Sequence, residues 1–89
     1  MTDNHETLLE FPCEFPIKVF GHTHAEFESQ VIAIILRHAR LAEDSPVQSR
    51  KSQGGKYDAV TVTITATSKP QLDAIYLDLT ASPDVIMAL

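Results

Sequence analysis

The chain has one cysteine, Cys13, and no tryptophan. A lone thiol excludes an internal disulfide, a Cys-x-x-Cys metal clasp and the cysteine set of an iron–sulfur cluster. Basic residues are also scarce: seven Lys/Arg face twelve Asp/Glu, giving a formal charge of −5. Phosphate contacts dominate nucleic-acid affinity, so this balance disfavours nucleic acid and anionic membranes as partners. No apolar run approaches the ~18 residues of a membrane span. The N-terminus, MTDNHETLLEF, is acidic where a secretory signal needs positive charge. A cytoplasmic location is expected.

What is present reads as one α+β domain spanning residues 8–89, preceded by a polar tail, residues 1–7. Pro12 and Pro16 bias the early chain towards extended geometry, and a first strand is expected over about Phe15 to Phe20. Ile17 and Val19 face one way, Lys18 and Phe20 the other. Thr23 and Glu26 form T-x-x-E, a capping-box pattern, ahead of an amphipathic helix. Its apolar stripe is Phe27, Val31, Ile34, Ile35 and Leu41, with Arg37, His38 and Arg40 expected in the last turns, where cations complement the dipole. A polar extended segment follows, and Gly54-Gly55 supplies a tight reversal.

The next stretch is the most regular in the chain. Val60, Val62, Ile64 and Ala66 alternate with Thr61, Thr63, Thr65 and Thr67, the period-two signature of a half-buried strand. Ser68 and Gln71 form a second capping box, S-x-x-Q, with Pro70 in the first turn of a helix carrying Leu72, Ile75, Tyr76 and Leu79. VIMAL closes the chain as a short strand. The order β-α-β-β-α-β predicts a ferredoxin-like two-layer sandwich: a four-stranded antiparallel sheet in the order 4-1-3-2, with both helices on one face. The polar second strand, with Arg50 and Lys51, suits an edge.

The segments LLEFPCEFPIKVFG, RHA (Arg37–Ala39), KSQGGKYDAVTVTITAT and VIMAL resemble the small bacterial YbeD-like proteins, a family of unknown function, over roughly Leu8 to Leu89. The resemblance takes in Gly21, Gly54, Lys56 and Tyr57, while His22 and His24 are not part of the family pattern. It implies a ferredoxin-like fold similar to ACT-type regulatory domains. It also implies a genomic setting near lipoate-attachment genes.

Candidate chemistry concentrates in VFGHTHAEF. His22 and His24 offer two metal ligands, but His38 lies about 21 Å further along an ideal helix, too far to share an ion. No metal site and no cofactor are expected. Cys13 beside Glu14 lacks the positive neighbour that activates a thiolate. No serine sits in a hydrolase elbow. Where the acylphosphatases of this fold carry an anion-cradling loop with an arginine, this chain reads GHTH. RNA-binding sheets display aromatics where this one has threonines. No catalytic residue is assigned.

ACT-like relatives place ligands at the junction of first strand and first helix, which implies Gly21, His22, Thr23 and His24 as ligand-binding residues. Arg50, Lys51 and Lys56 form a basic hairpin fit to dock an acidic partner. The leading expectation is a non-enzymatic regulatory domain that binds a small metabolite or a partner protein, with homodimerisation open. The alternatives are an accessory factor or small enzyme in lipoate metabolism, and an interaction module that uses its sheet edge.

Overall fold

The computed structural model describes residues 10–51 and 54–89, so the expected tail, residues 1–7, lies outside the described residues. The elements run β1 (Cys13–His22), α1 (Phe27–Leu36), β2 (Arg40–Leu41), β3 (Val47–Lys51), β4 (Tyr57–Ala66), α2 (Lys69–Thr80) and β5 (Val85–Ala88). Every strand pairing is antiparallel. The result is an α+β domain with one sheet and two helices, compatible with the ferredoxin-like expectation.

The centre of the sheet is the β1–β4 pair, in register from Cys13↔Ala66 to His22↔Tyr57. Side chains alternate across a strand, so this register puts Ile17, Val19, Val60, Val62, Ile64 and Ala66 on one face, all with 0% exposure. Phe27, Val31 and Ile35 of α1 and Leu72, Ile75 and Leu79 of α2 join them in a single core. Each of these large side chains contributes about 1.5–3 kcal/mol by leaving water. Both helices therefore cover the same face, and Thr61, Thr63 and Thr65 lie on the other.

The sheet has five strands, not the expected four, in the order β2-β4-β1-β5 with β3 also paired to β4. The polar second strand is interrupted: β2 pairs with Ile64 and Thr65, and β3 with Asp58 to Val62. Thr63 sits opposite the gap. Its carbonyl accepts from Ala42 N–H at 2.9 Å, and its N–H donates to the Pro46 carbonyl at 2.7 Å. Glu43, Asp44 and Ser45 are looped out between them, with Ser45 at a φ of +43°. Two carboxylates, a looped segment and a proline make this edge a poor template for pairing with another chain.

Two further expectations are corrected at α1. The helix ends at Leu36 with no basic residue in its last turn, so Arg37 and His38 lie beyond it and Arg40 and Leu41 belong to β2. Leu41 is half-buried by pairing beside Ile64 rather than by extending the helical stripe. The polar His38 interrupts that stripe, and the chain turns there to reach the sheet. At the other end, Glu26 is the cap residue and makes no side-chain cap; the Thr23 capping box does not form. The second box forms in part, its return arm reaching Thr67 instead of the cap residue Ser68. Ser68 Oγ accepts from Gln71 N–H at 3.2 Å, and Gln71 Oε1 reaches back to Thr67 N–H at 2.7 Å.

The end of α1 is tied to α2 by charge. His38 Nε2 lies 2.8 Å from Asp78 Oδ2, and Arg37 donates to the same oxygen at 3.3 Å. Gln71 Nε2 donates to the His38 carbonyl at 2.9 Å. The hydrogen bond from His38, aided by the Arg37 charge, holds the Asp78 carboxyl below its ordinary value of 3.8. A carboxyl lowered on folding stabilises the fold above its unfolded value and loses that contribution as pH falls through the folded value. Asp78→Asn should therefore melt below the wild type near pH 7, and the difference should narrow as pH falls below the ordinary carboxyl value of 3.8. Thermal melts across pH check this; a gap that persists in acid refutes it.

Candidate functional site

The junction after β1 is held by contacts from distant parts of the chain. Thr23 N–H donates to the Lys56 carbonyl at 3.0 Å, and Thr23 Oγ1 donates to Asp58 Oδ1 at 3.0 Å. The Thr23 hydroxyl donates to a carboxylate, a charge-assisted bond, and this directs the side chain to β4 instead of α1. His24 takes over the turn before the helix: its Nδ1 accepts from Glu26 N–H at 3.2 Å. The neutral ring then carries its proton on Nε2. That atom is closed off from solvent, 3.3 Å from Asp84 Oδ2 but outside hydrogen-bond alignment.

Gly21 is buried and has a structural task. A Cβ built on it would overlap the Phe27 ring and the Asp84 carbonyl oxygen. The space beside this glycine is thus filled by the protein's own Phe27 ring and Asp84 carbonyl. His22 is exposed, pairs with Tyr57 across the sheet, and has its ring 5.8 Å from the tyrosine ring.

Of the four expected ligand residues, His24 opens onto a cavity with the basic hairpin. A cleft of about 270 Å³ between the start of α1 and β3–β4 is lined by His24, Glu28, Ser49, Arg50, Lys51 and Asp58, with Ala25 and Val60. Ser49 Oγ donates to Glu28 Oε1 across it. The cleft brings two cations and two carboxylates around one small volume. Lys56 does not line it; that residue stands in the β3–β4 loop, where its carbonyl holds Thr23. Glu28, Ser49 and Asp58 were not anticipated. The spacing along the chain gives no signal for them, because β3 and β4 meet α1 only through the fold.

Two larger hollows are less well furnished. One of about 340 Å³ includes His38 and Gln71, whose polar groups are engaged in tying α1 to α2. Another of about 490 Å³ lies between Tyr76, Leu77 and Ala88. Among the described residues no group of three or more His, Cys, Asp or Glu is placed to hold a metal ion. Nor is any described helix long and apolar enough to cross a membrane.

Residues 6–89 match the family described as "Protein of unknown function (DUF493)". The chain belongs to that family. A UPF0250 protein of Chromobacterium violaceum is 46% identical over 89 residues, covering 100% of both chains. One from Paraburkholderia phytofirmans is 43% identical over the same span, again covering 100% of both. The YbeD-like resemblance read from the strand and turn segments is therefore confirmed. The solution structure of protein HP0495 from H. pylori superposes with a TM-score of 0.73 at 16% identity, covering 98% of this chain and 91% of that one. At that identity the likeness shows a shared fold.

The seat of Phe27 on Gly21 gives a direct test of how the junction in this family member is built. Gly21→Val should cost about 2–3 kcal/mol through overpacking, on the order of 10–15 °C in melting temperature for a domain of this size. Gly54→Ala, at a φ of +92° but in open space, should cost only about 1–2 kcal/mol from its left-handed backbone. Equal melting of Gly21→Val and wild type would show that the Phe27 ring does not need this seat.

Proposed function

We propose that this is a non-enzymatic, cytoplasmic regulatory domain, used in the manner of ACT-type modules, whose ligand is a small zwitterionic metabolite of the amino-acid kind. The observation that supports the reading is the mixed charge of the α1–β3 cleft. Arg50 and Lys51 offer donors to a carboxylate, while Glu28 and Asp58 offer acceptors to an ammonium. Arginine grips a carboxylate through its planar fork. The volume of about 270 Å³ falls just short of a drug-sized pocket and suits a metabolite. His24 adds a ring whose orientation is set by the hydrogen bond from Glu26 N–H to Nδ1.

The ligand residues on this reading are His24, Glu28, Arg50, Lys51 and Asp58. Gly21 and Thr23 shape the site from behind, through Phe27 and Asp58.

A thermal-shift screen with the twenty amino acids, lipoate and octanoate tests the reading. At ten times its dissociation constant, a ligand adds about 1.4 kcal/mol of stability, on the order of 6–10 °C here. At least one amino acid should do this for the wild type and fail to do it for Lys51→Glu. Stabilisation by octanoate or lipoate alone would transfer the domain to lipoate metabolism. No shift with any amino acid would sink the zwitterion reading.

A further inference from the structure

The face of the sheet turned away from the helices has a chemistry unlike the rest of the chain. The register places Lys18 beside Thr61 and Phe20 beside Ala59 on β1–β4, and Gln48 beside Thr61 and Arg50 beside Ala59 on β3–β4. Arg40 stands beside Thr65, and Thr65 beside Glu14. On a chain of formal charge −5, the paired strand positions of this face present Lys18, Arg40 and Arg50 against the single carboxylate of Glu14. A groove of about 240 Å³ runs between Lys18, Gln48, Arg50 and Thr61, floored by Ala59, and no acidic residue is among the described residues lining it. Neither Lys18 nor Arg50 has a carboxylate partner among the described residues.

Next to this basic row is an apolar one. Phe20 pairs with Met87, which is 45% exposed. Leu89, 61% exposed, exchanges backbone hydrogen bonds with Lys18 at 3.0 and 2.7 Å. Lys18 Nζ stands 5.9 Å from the centre of the Phe20 ring. An ammonium, a guanidinium, an amide and a hydroxyl thus converge on one groove, with an apolar strip along its flank.

We propose that this open sheet face, centred on Lys18, Arg50, Gln48 and Thr61, docks an extended acidic segment of a partner protein in which carboxylates alternate with apolar side chains. A carboxylate in the groove meets the Arg50 fork and the Lys18 ammonium, both charge-assisted donors. Side chains on the opposite side of the extended segment reach Phe20, Met87 and Leu89. Charge complementarity selects the occupant. A polynucleotide offers the same negative charge, but the row beside the groove offers one aromatic ring rather than a set of stacking platforms. This surface shares Arg50 and Ser49 with the α1–β3 cleft, whereas Lys18 lines the groove and not the cleft, and Lys51 the cleft and not the groove.

The test uses a fluorescein-labelled peptide of alternating glutamate and leucine, read by anisotropy at low and high salt and by amide shifts on 15N-labelled protein. Shifts should centre on Lys18, Gln48, Ala59 and Thr61, and affinity should fall as salt rises. Lys18→Glu should weaken binding roughly tenfold or more. Lys69→Glu, an equal charge change on α2, should weaken it far less. Lys18→Gln, which removes the charge with little risk to folding, should give an intermediate loss. The proposal is overturned by any of four results: no binding at millimolar peptide, equal affinity for Lys18→Glu and wild type, shifts confined to the helix side, or tighter binding of a single-stranded oligonucleotide of equal charge. Lys51→Glu, the variant that tests the cleft, should leave shifts at Lys18 and Thr61 intact, so the two sites fail separately.

Discussion

The register of β1 against β4 governs everything else in this molecule. Ten residues of each strand pair without a slip, from Cys13↔Ala66 to His22↔Tyr57. A shift of β1 by one residue would turn Ile17 and Val19 to water and bury Lys18, and a shift of β4 would do the same to Val60, Val62 and Ile64 and bury the threonines. The loss of about 1.5–3 kcal/mol for each exposed aliphatic side chain exceeds the whole stability of a small domain within a few residues. The alternation of valine and threonine therefore fixes two surfaces at once. One is closed by the helices. The other keeps the positive charges of Lys18, Arg40 and Arg50 at fixed cross-strand spacing.

The same register carries β1 on to His22, and this explains the start of α1. Because His22 is still paired with Tyr57, Thr23 emerges beside Asp58 and hydrogen-bonds to that carboxylate. The helix then begins one turn later, at Phe27, whose ring needs the missing side chain of Gly21. His24 bridges the intervening turn through Glu26 N–H. Each step is a consequence of packing against β4 and the segment before β5, and the cleft beside the junction is positioned by the same contacts.

What the sequence disclosed and what it withheld divide along sequence separation. The β4 strand, the Ser68–Gln71 cap and the core faces of both helices rest on interactions within a few residues, and their periods of two and 3.6 are visible in a single chain. Thr23–Asp58 spans 35 residues and Ser49–Glu28 spans 21. Neither leaves a local pattern, so the T-x-x-E motif looked like a cap and the cleft was invisible. The end of α1 lay between these extremes. His38 interrupts the apolar stripe, but Leu41 returns to it, and only the pairing of Leu41 beside Ile64 shows which element claims it. The break in the edge strand was signalled weakly by Asp44-Ser45-Pro46, a turn-forming run ahead of a residue that cannot donate.

Strand β3 shows why candidate function falls where packing is weakest. Four of its five residues are exposed, so the core places almost no demand on their identity, yet β4 holds their backbone in place along the whole strand. Side chains there are positioned without being buried, the condition a recognition surface needs: fixed geometry, accessible groups and little stability at stake. Arg50 lines both the cleft beside α1 and the groove on the open face, because an edge strand has no neighbour on its outer side to separate the two. Charge on an edge also guards against mispairing, and that role would be met by any cation at any β3 position. It does not account for a guanidinium and an ammonium on two different strands lining the same groove. The inward strand positions conserve the fold's energy, and the outward ones carry whatever specificity the domain has.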